Sequence, residues 1–203
     1  MGELPEGLLY KRDFLREDEE RCILEEIRRL CFSEIRMRGV TARRRVVHYG
    51  LIYGYDSRSA MPGPAIPDFL ESLRHRCAEW LDLAPESLAE ALVTEYTPGA
   101  GIGWHRDAPM FGAIIGVSLL APCRMRFRQN NDESDTLAAQ VQLDPRSAYA
   151  LTGESRNHWQ HTIPPMKTLR YSVTFRTVAR MSHWQPTPLQ AAAQNSRDEP
   201  RVA

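Results

Sequence analysis

Most of the signals that would place this 203-residue sequence quickly in a class are missing from it. No apolar run approaches the roughly 18 residues of a membrane-spanning helix, so no helical membrane span and no membrane partner is expected. The opening MGELPEGLLYKRDFLREDEE lacks the apolar stretch of a secretory signal. The four cysteines, Cys22, Cys31, Cys77 and Cys123, form no CxxC pair and no tight framework. Their spacing argues against a thiolate zinc site or a disulfide scaffold, and for reduced thiols in a reducing compartment. Neither sign of charge is in excess, with 26 Lys+Arg against 26 Asp+Glu. Bulk charge therefore points to no polyanionic partner, and affinity for nucleic acid would need a local cluster of cations. There is no internal repeat.

Hydrophobic residues make up 42% of the chain, enough for the core of one domain. Residues 16–32 read as an amphipathic helix with Ile23, Ile27 and Leu30 on one stripe, and Glu17, Asp18, Glu19 and Glu20 in its first turn. A second helix opens at Pro67, with Phe69, Leu70, Leu73, Cys77, Trp80 and Leu81 at helical spacing. Between them, IRMRGVTARRR places Arg36, Arg38, Arg43, Arg44 and Arg45 in one acid-free segment. That segment suits either a phosphate-tracking surface or a charged strand edge. The Tyr-, Gly- and Pro-rich stretch 48–67 reads as strands and turns of a surface loop system. From about Ala91 the pattern changes to short strands (LVTEY, AIIGVSL, RMRFR, QVQL, SAYALT, RYSVTFRTV), as in an antiparallel sandwich or barrel. The polar connection 129–137 is expected to be mobile and the tail from about Met181 loosely ordered.

The chemistry gathers in three places. In GIGWHRDAP, His105 and Asp107 are one residue apart, which on an extended strand turns both toward one face. His161 ends the run HWQH, just before Pro164 and Pro165. Two histidines and one carboxylate make the three-ligand set of non-haem iron(II) oxygenases. In RYSVTFR, alternation puts Arg170, Ser172, Thr174 and Arg176 on one face and core residues on the other. A buried guanidinium needs a carboxylate, and no acid of the chain stands out as its partner. A small dicarboxylate would serve, gripped in a two-pronged fork. In LVTEY, Leu92, Thr94 and Tyr96 share a face immediately before the turn that leads to His105.

The stretches EYTPGAGIGWHRD, LTGESRNHWQHTIP and LRYSVTFRTV, in that order, resemble the AlkB family of Fe(II)/2-oxoglutarate dioxygenases. The resemblance implies an α+β fold: a double-stranded β-helix (jelly-roll) core with N-terminal helices bracing one sheet. One domain is then expected over 1–180, with 1–90 as helical support and substrate lid, 91–180 as the core, and 181–203 as the tail. His105, Asp107 and His161 would hold iron, with dioxygen and 2-oxoglutarate as co-substrates. Tyr96 and Arg170 would hold the distal carboxylate of 2-oxoglutarate, and Arg176 would face its carboxylate near the iron. Thr94 and Ser172 stand where the family often has Asn, so shorter donors and weaker co-substrate binding are expected. Ala108 and Pro109 stand where some nucleobase-repair members carry an acid.

By the same resemblance, residues 43–64 form a substrate lid, in which Arg43, Arg44 and Arg45 would meet phosphates and Tyr53 and Tyr55 a flipped base. The implied activity is oxidative demethylation of N-alkylated bases in DNA or RNA by a soluble monomer, cytoplasmic or nucleoid-associated. Two other readings stay open: an oxygenase acting on a protein side chain or small molecule, and a non-catalytic jelly-roll binding module.

Overall fold

Apolar residues at helical spacing give this chain two helices, and both lie on the same side of a large sheet. The computed structural model describes residues 4–37, 40–54, 59–129 and 139–179. Helix α1 spans Glu17–Ile27 and buries Ile23, Leu24 and Ile27. Helix α2 spans Asp68–Trp80 and buries Leu70, Leu73, Cys77 and Ala78. These side chains form one core with Ala91, Val93, Ile115, Val117, Val173 and Phe175, which line the outer face of the sheet. The expected helices are therefore present, though α1 stops at Ile27, short of Phe32.

The strands are β1 (Leu8–Lys11), β2 (Ser33–Met37), β3 (Val40–Gly54), β4 (Ser59–Pro62), β5 (Leu88–Tyr96), β6 (Ile102–His105), β7 (Phe111–Leu119), β8 (Cys123–Gln129), β9 (Ala139–Leu143), β10 (Ala148–Leu151), β11 (Trp159–Ile163) and β12 (Arg170–Val178). Among the described residues they form an eight-stranded sheet, β1-β10-β7-β12-β5-β3-β2 with β4 on β3, and a four-stranded sheet, β6-β11-β8-β9. Every pairing is antiparallel. Between the sheets lies a second core of Ile114, Met125, Phe127, Leu143, Leu151 and Ile163. The architecture is a jelly roll with helices bracing its larger sheet.

Strands do not begin at Ala91. The basic segment and the start of the stretch read as strands and turns join in one strand, β3, fifteen residues long, whose register with β5 runs from Arg45↔Glu95 to Gly50↔Glu90. It is not part of a surface loop system: β5 pairs with it on one side and β2 and β4 on the other. The polar connection beyond Gln129 and the chain beyond Ala179 lie outside the described residues. Among the described residues no helix is long and apolar enough to cross a membrane.

Candidate active site

The inner face of the large sheet is polar where the smaller sheet leaves it uncovered. Register places Arg170 opposite Tyr96, Ser172 opposite Thr94 and Arg176 opposite Glu90, all on this face. His105 and His161 pair directly across β6 and β11, with ring centroids 4.3 Å apart. Strand β6 ends at His105, so Asp107 comes from the loop that follows and not from the same strand. That loop is tied down by Arg156, a buried residue of the short helix α3 (Gly153–Asn157). Arg156 donates to the carbonyls of Ala108 and Phe111 at 2.7 Å each and of Gly112 at 3.0 Å.

One donor atom from each of His105, Asp107 and His161 lies within 4.8 Å of the others. Nε2 of His161 is 3.5 Å from Oδ2 of Asp107. His105 Nδ1 sits 2.9 Å from the Gly103 carbonyl, which can only accept, so Nδ1 carries the proton and Nε2 is left for an ion. Burial pushes the His161 imidazole down to about 3, with His105 adding to the effect, and burial lowers His105 as well. Both rings are therefore neutral at pH 7, the form that ligates a metal. Burial raises the Asp107 carboxyl, but the charge of Arg176, helped by His161 and His105, outweighs it and holds the group below the usual range. Two neutral imidazoles and one carboxylate fit a divalent iron and leave coordination positions for co-substrate.

Arg170 is buried, 1% exposed, and its Nε and Nη2 donate to the Ser118 hydroxyl at 3.2 and 3.1 Å. Its guanidinium lies 5.0 Å from the centroid of the Tyr96 ring. Its Nη1 is buried with no hydrogen-bond partner among the described residues. A cation held by neutral groups, with one donor unsatisfied, fits the carboxylate of a bound acid. Thr94 and Ser172 lie beside it, both buried.

Arg176 is held differently. Its Nε and Nη2 donate to Oδ1 of Asp107 at 2.9 and 2.6 Å, and its Nη1 to Oε2 of Glu90 at 2.7 Å. Glu90, 1% exposed, also lies 3.2 Å from Nδ1 of His48. Glu90 is thus the acid that the sequence reading did not find. Extending the alternation Tyr96, Thr94, Leu92 by one more step would have reached it.

The cavity over these residues has a volume of about 460 Å³ and is lined by Arg44, His48, Tyr53, Trp104, His105 and Asp107 among others. Of the expected lid residues, Arg44 and Tyr53 line the cavity, and Tyr53 meets Phe111 edge-on at 6.3 Å. Arg43 is exposed, its Nη1 close against Gly99. Arg45 turns to the other face, where Glu95 holds it at 2.6 Å, so it lies away from the cavity. The period of two explains this: neighbours on a strand cannot share a face. Tyr55 lies outside the described residues.

A jelly roll with a buried His-Asp-His cluster beside a guanidinium-lined cleft defines a class, the iron-dependent oxygenases that use a carboxylic acid co-substrate. The family model of the 2OG-Fe(II) oxygenase superfamily matches residues 7–193. The chain belongs to that superfamily, as an AlkB-like member whose cofactors are Fe(II), 2-oxoglutarate and dioxygen. It is 32% identical over 171 residues to the Xenopus tropicalis tRNA (carboxymethyluridine(34)-5-O)-methyltransferase alkbh8, covering 81% of this chain and 26% of that protein. The chain thus spans about a quarter of that relative's length. To the Escherichia coli alpha-ketoglutarate-dependent dioxygenase AlkB it is 28% identical over 148 residues, 64% of this chain and 65% of that one. Among solved structures, OsALKBH1 superposes with a TM-score of 0.63 at 19% identity, covering 87% of this chain and 99% of that one, which supports the fold.

Proposed function

We propose that the protein removes alkyl groups oxidatively from the nitrogens of DNA or RNA bases. The observation that carries this reading is the wall of the cavity: Tyr53 and Trp104 offer aromatic faces, and Arg44 a cation, directly beside His105 and Asp107. Aromatic faces stack on an unpaired base and a cation meets its phosphate. The name of one relative, a tRNA methyltransferase, supports a nucleic-acid substrate, while the removal of the alkyl group rests on the oxygenase site.

In this reading His105, Asp107 and His161 would hold the iron. Arg170, with Tyr96, Thr94 and Ser172, would anchor one carboxylate of 2-oxoglutarate, and Arg176 would face the other. When bound, iron and 2-oxoglutarate supply the oxidation of an N-methyl C–H bond by dioxygen. The chain's own part is to position the base, to present neutral imidazoles, and to keep Asp107 ionised through Arg176. The hydroxylated methyl then leaves as formaldehyde.

The test is incubation with Fe(II), 2-oxoglutarate, oxygen and a panel of N-methylated DNA and RNA oligonucleotides, read by mass spectrometry. Methyl loss is expected with the parent protein and is abolished in Asp107→Ala. Consumption of 2-oxoglutarate with every oligonucleotide unchanged would overturn the nucleic-acid reading and turn the search to protein or small-molecule substrates.

A further inference from the structure

We infer that the outer face of the smaller sheet is a second contact surface, which grips the phosphate backbone of a single nucleic-acid strand whose target base occupies the cavity. This inference rests on the nucleic-acid reading above and adds a place where the flanking strand lies.

Strand β8 reads CRMRFRQ, and its buried residues Cys123, Met125 and Phe127 face the core. Alternation turns Arg124, Arg126 and Arg128 to the opposite face. β8 is not an edge strand, because β11 and β9 pair with it on either side, so these arginines do not serve as edge protection. The residues directly opposite them are Gln142 and Gln140 on β9 and Thr162 and Gln160 on β11. None of those four is acidic, in a chain whose charges balance overall. Asp144, just past the end of β9, is already held by Arg12 at 2.7 Å. Arg126 keeps its Nε buried without a hydrogen-bond partner among the described residues.

The strip leads to the cavity. Arg128 donates to the Gln160 amide at 2.7 Å and lies 4.6 Å over the ring of Trp104. Trp104 and the exposed Arg106 in turn line the cavity mouth, flanking His105. From Arg124 to Arg128 a strand covers roughly 13 Å, long enough for successive phosphates of an extended chain. Cations spaced along a strand, with an indole at one end, combine the two elements of single-strand binding: charge along the backbone and an aromatic platform for a base. An acidic protein would use the charges but has no need of the indole.

The experiment is fluorescence anisotropy of a labelled, unmodified single-stranded oligonucleotide titrated with the full chain over a range of salt. The variant Arg124→Gln/Arg126→Gln/Arg128→Gln is compared with Arg21→Gln/Arg28→Gln/Arg29→Gln, which removes the same charge around α1. The β8 variant is expected to bind at least about tenfold more weakly, with a log K against log salt slope shallower by about two, while the α1 variant binds as the parent does. Arg124→Glu alone, at an exposed position, is expected to weaken binding in the same direction without disturbing the fold. Trp104→Ala is expected to weaken the oligonucleotide but not poly-glutamate. Equal binding by the two triple variants overturns the inference. Poly-glutamate binding the parent as tightly as the oligonucleotide, with the same loss in the β8 variant, overturns it in favour of an acidic protein partner. Turnover of a methylated free nucleoside, too short to reach β8, reports the proposed activity by itself. Its absence in the parent, with the methylated oligonucleotides unchanged as well, sinks that activity and leaves the binding result to decide this one.

Discussion

Arg176 has two carboxylates on one guanidinium, and that arrangement decides how the site behaves at the scale of single residues. Asp107 and Glu90 each accept from a different edge of the fork, so removing either leaves the cation tied to the other. Without Glu90, Arg176 collapses onto Asp107 and competes with what Asp107 and the co-substrate would otherwise bind. Glu90→Gln is therefore expected to raise the KM for 2-oxoglutarate about tenfold, near the worth of one charge-assisted hydrogen bond, with kcat little changed. Steady-state kinetics at saturating iron would measure it, and an unchanged KM would remove Glu90 from the site's workings. Arg170 is the opposite case, since its listeners are neutral: a serine hydroxyl and the face of a tyrosine ring. Arg170→Met keeps the buried volume and deletes the charge. It is expected to raise the same KM by about a hundredfold while metal affinity, titrated with Mn(II) by calorimetry, stays at the parent value. Loss of metal binding in that variant would mean that Arg170 supports the fold and not the co-substrate.

At the scale of elements, α1 and α2 are joined by Glu19 and Arg76. The guanidinium of Arg76 donates to both oxygens of Glu19, at 2.5 and 2.8 Å, and to the Phe14 carbonyl at 3.0 Å. The same carboxylate accepts the Arg16 amide at 2.8 Å, at the start of α1. Arg76 outweighs burial and pulls the Glu19 carboxyl down to about 2. A depressed carboxyl stabilises the fold above its ordinary value and loses that contribution as pH falls toward the folded value. Glu19→Gln should thus cost about 1–2 kcal/mol at pH 7, less than the full shift implies because the pair is partly exposed. The difference from the parent should disappear between about pH 4.5 and 2, a window that denaturant titration at several pH values would test. A difference that persists at pH 2 would assign the effect to packing.

The same elements show what was legible beforehand. Both helices, most strands from Leu92 onward and the polar face of β12 followed from periodicity, because a single buried face imposes its period on the sequence, whereas β11, whose burial does not alternate, did not. Residues β1 and β3 contribute to the sheet did not, since β1 has four residues and β3 changes neighbours along its length. The loop position of Asp107 was misread as strand, because spacing alone cannot tell an extended loop from a strand end.

For the whole molecule, the question is how a fold tolerates a site built from buried charges before any metal arrives. Arg176, Asp107 and Glu90 sum to one negative charge, beside imidazoles that burial keeps neutral. An isolated buried carboxylate would be costly, but here each is paired through one arginine. Asp107→Ala leaves Arg176 and Glu90 as a balanced pair, so the metal-free variant is expected to melt within a few degrees of the parent. Binding, by contrast, stabilises only the form that has the site. With Mn(II) at about 100 times its Kd, the parent should gain about 2.7 kcal/mol, or about 5–10 °C in Tm. Asp107→Ala should show no metal-dependent gain. Calorimetry of both proteins with and without ligands separates the two contributions. If the variant melts far below the parent without metal, Asp107 is a structural anchor of the jelly roll. If it melts alike and loses only the ligand-dependent rise, the carboxylate is held in place by its neighbours and its own task is to bind the ion.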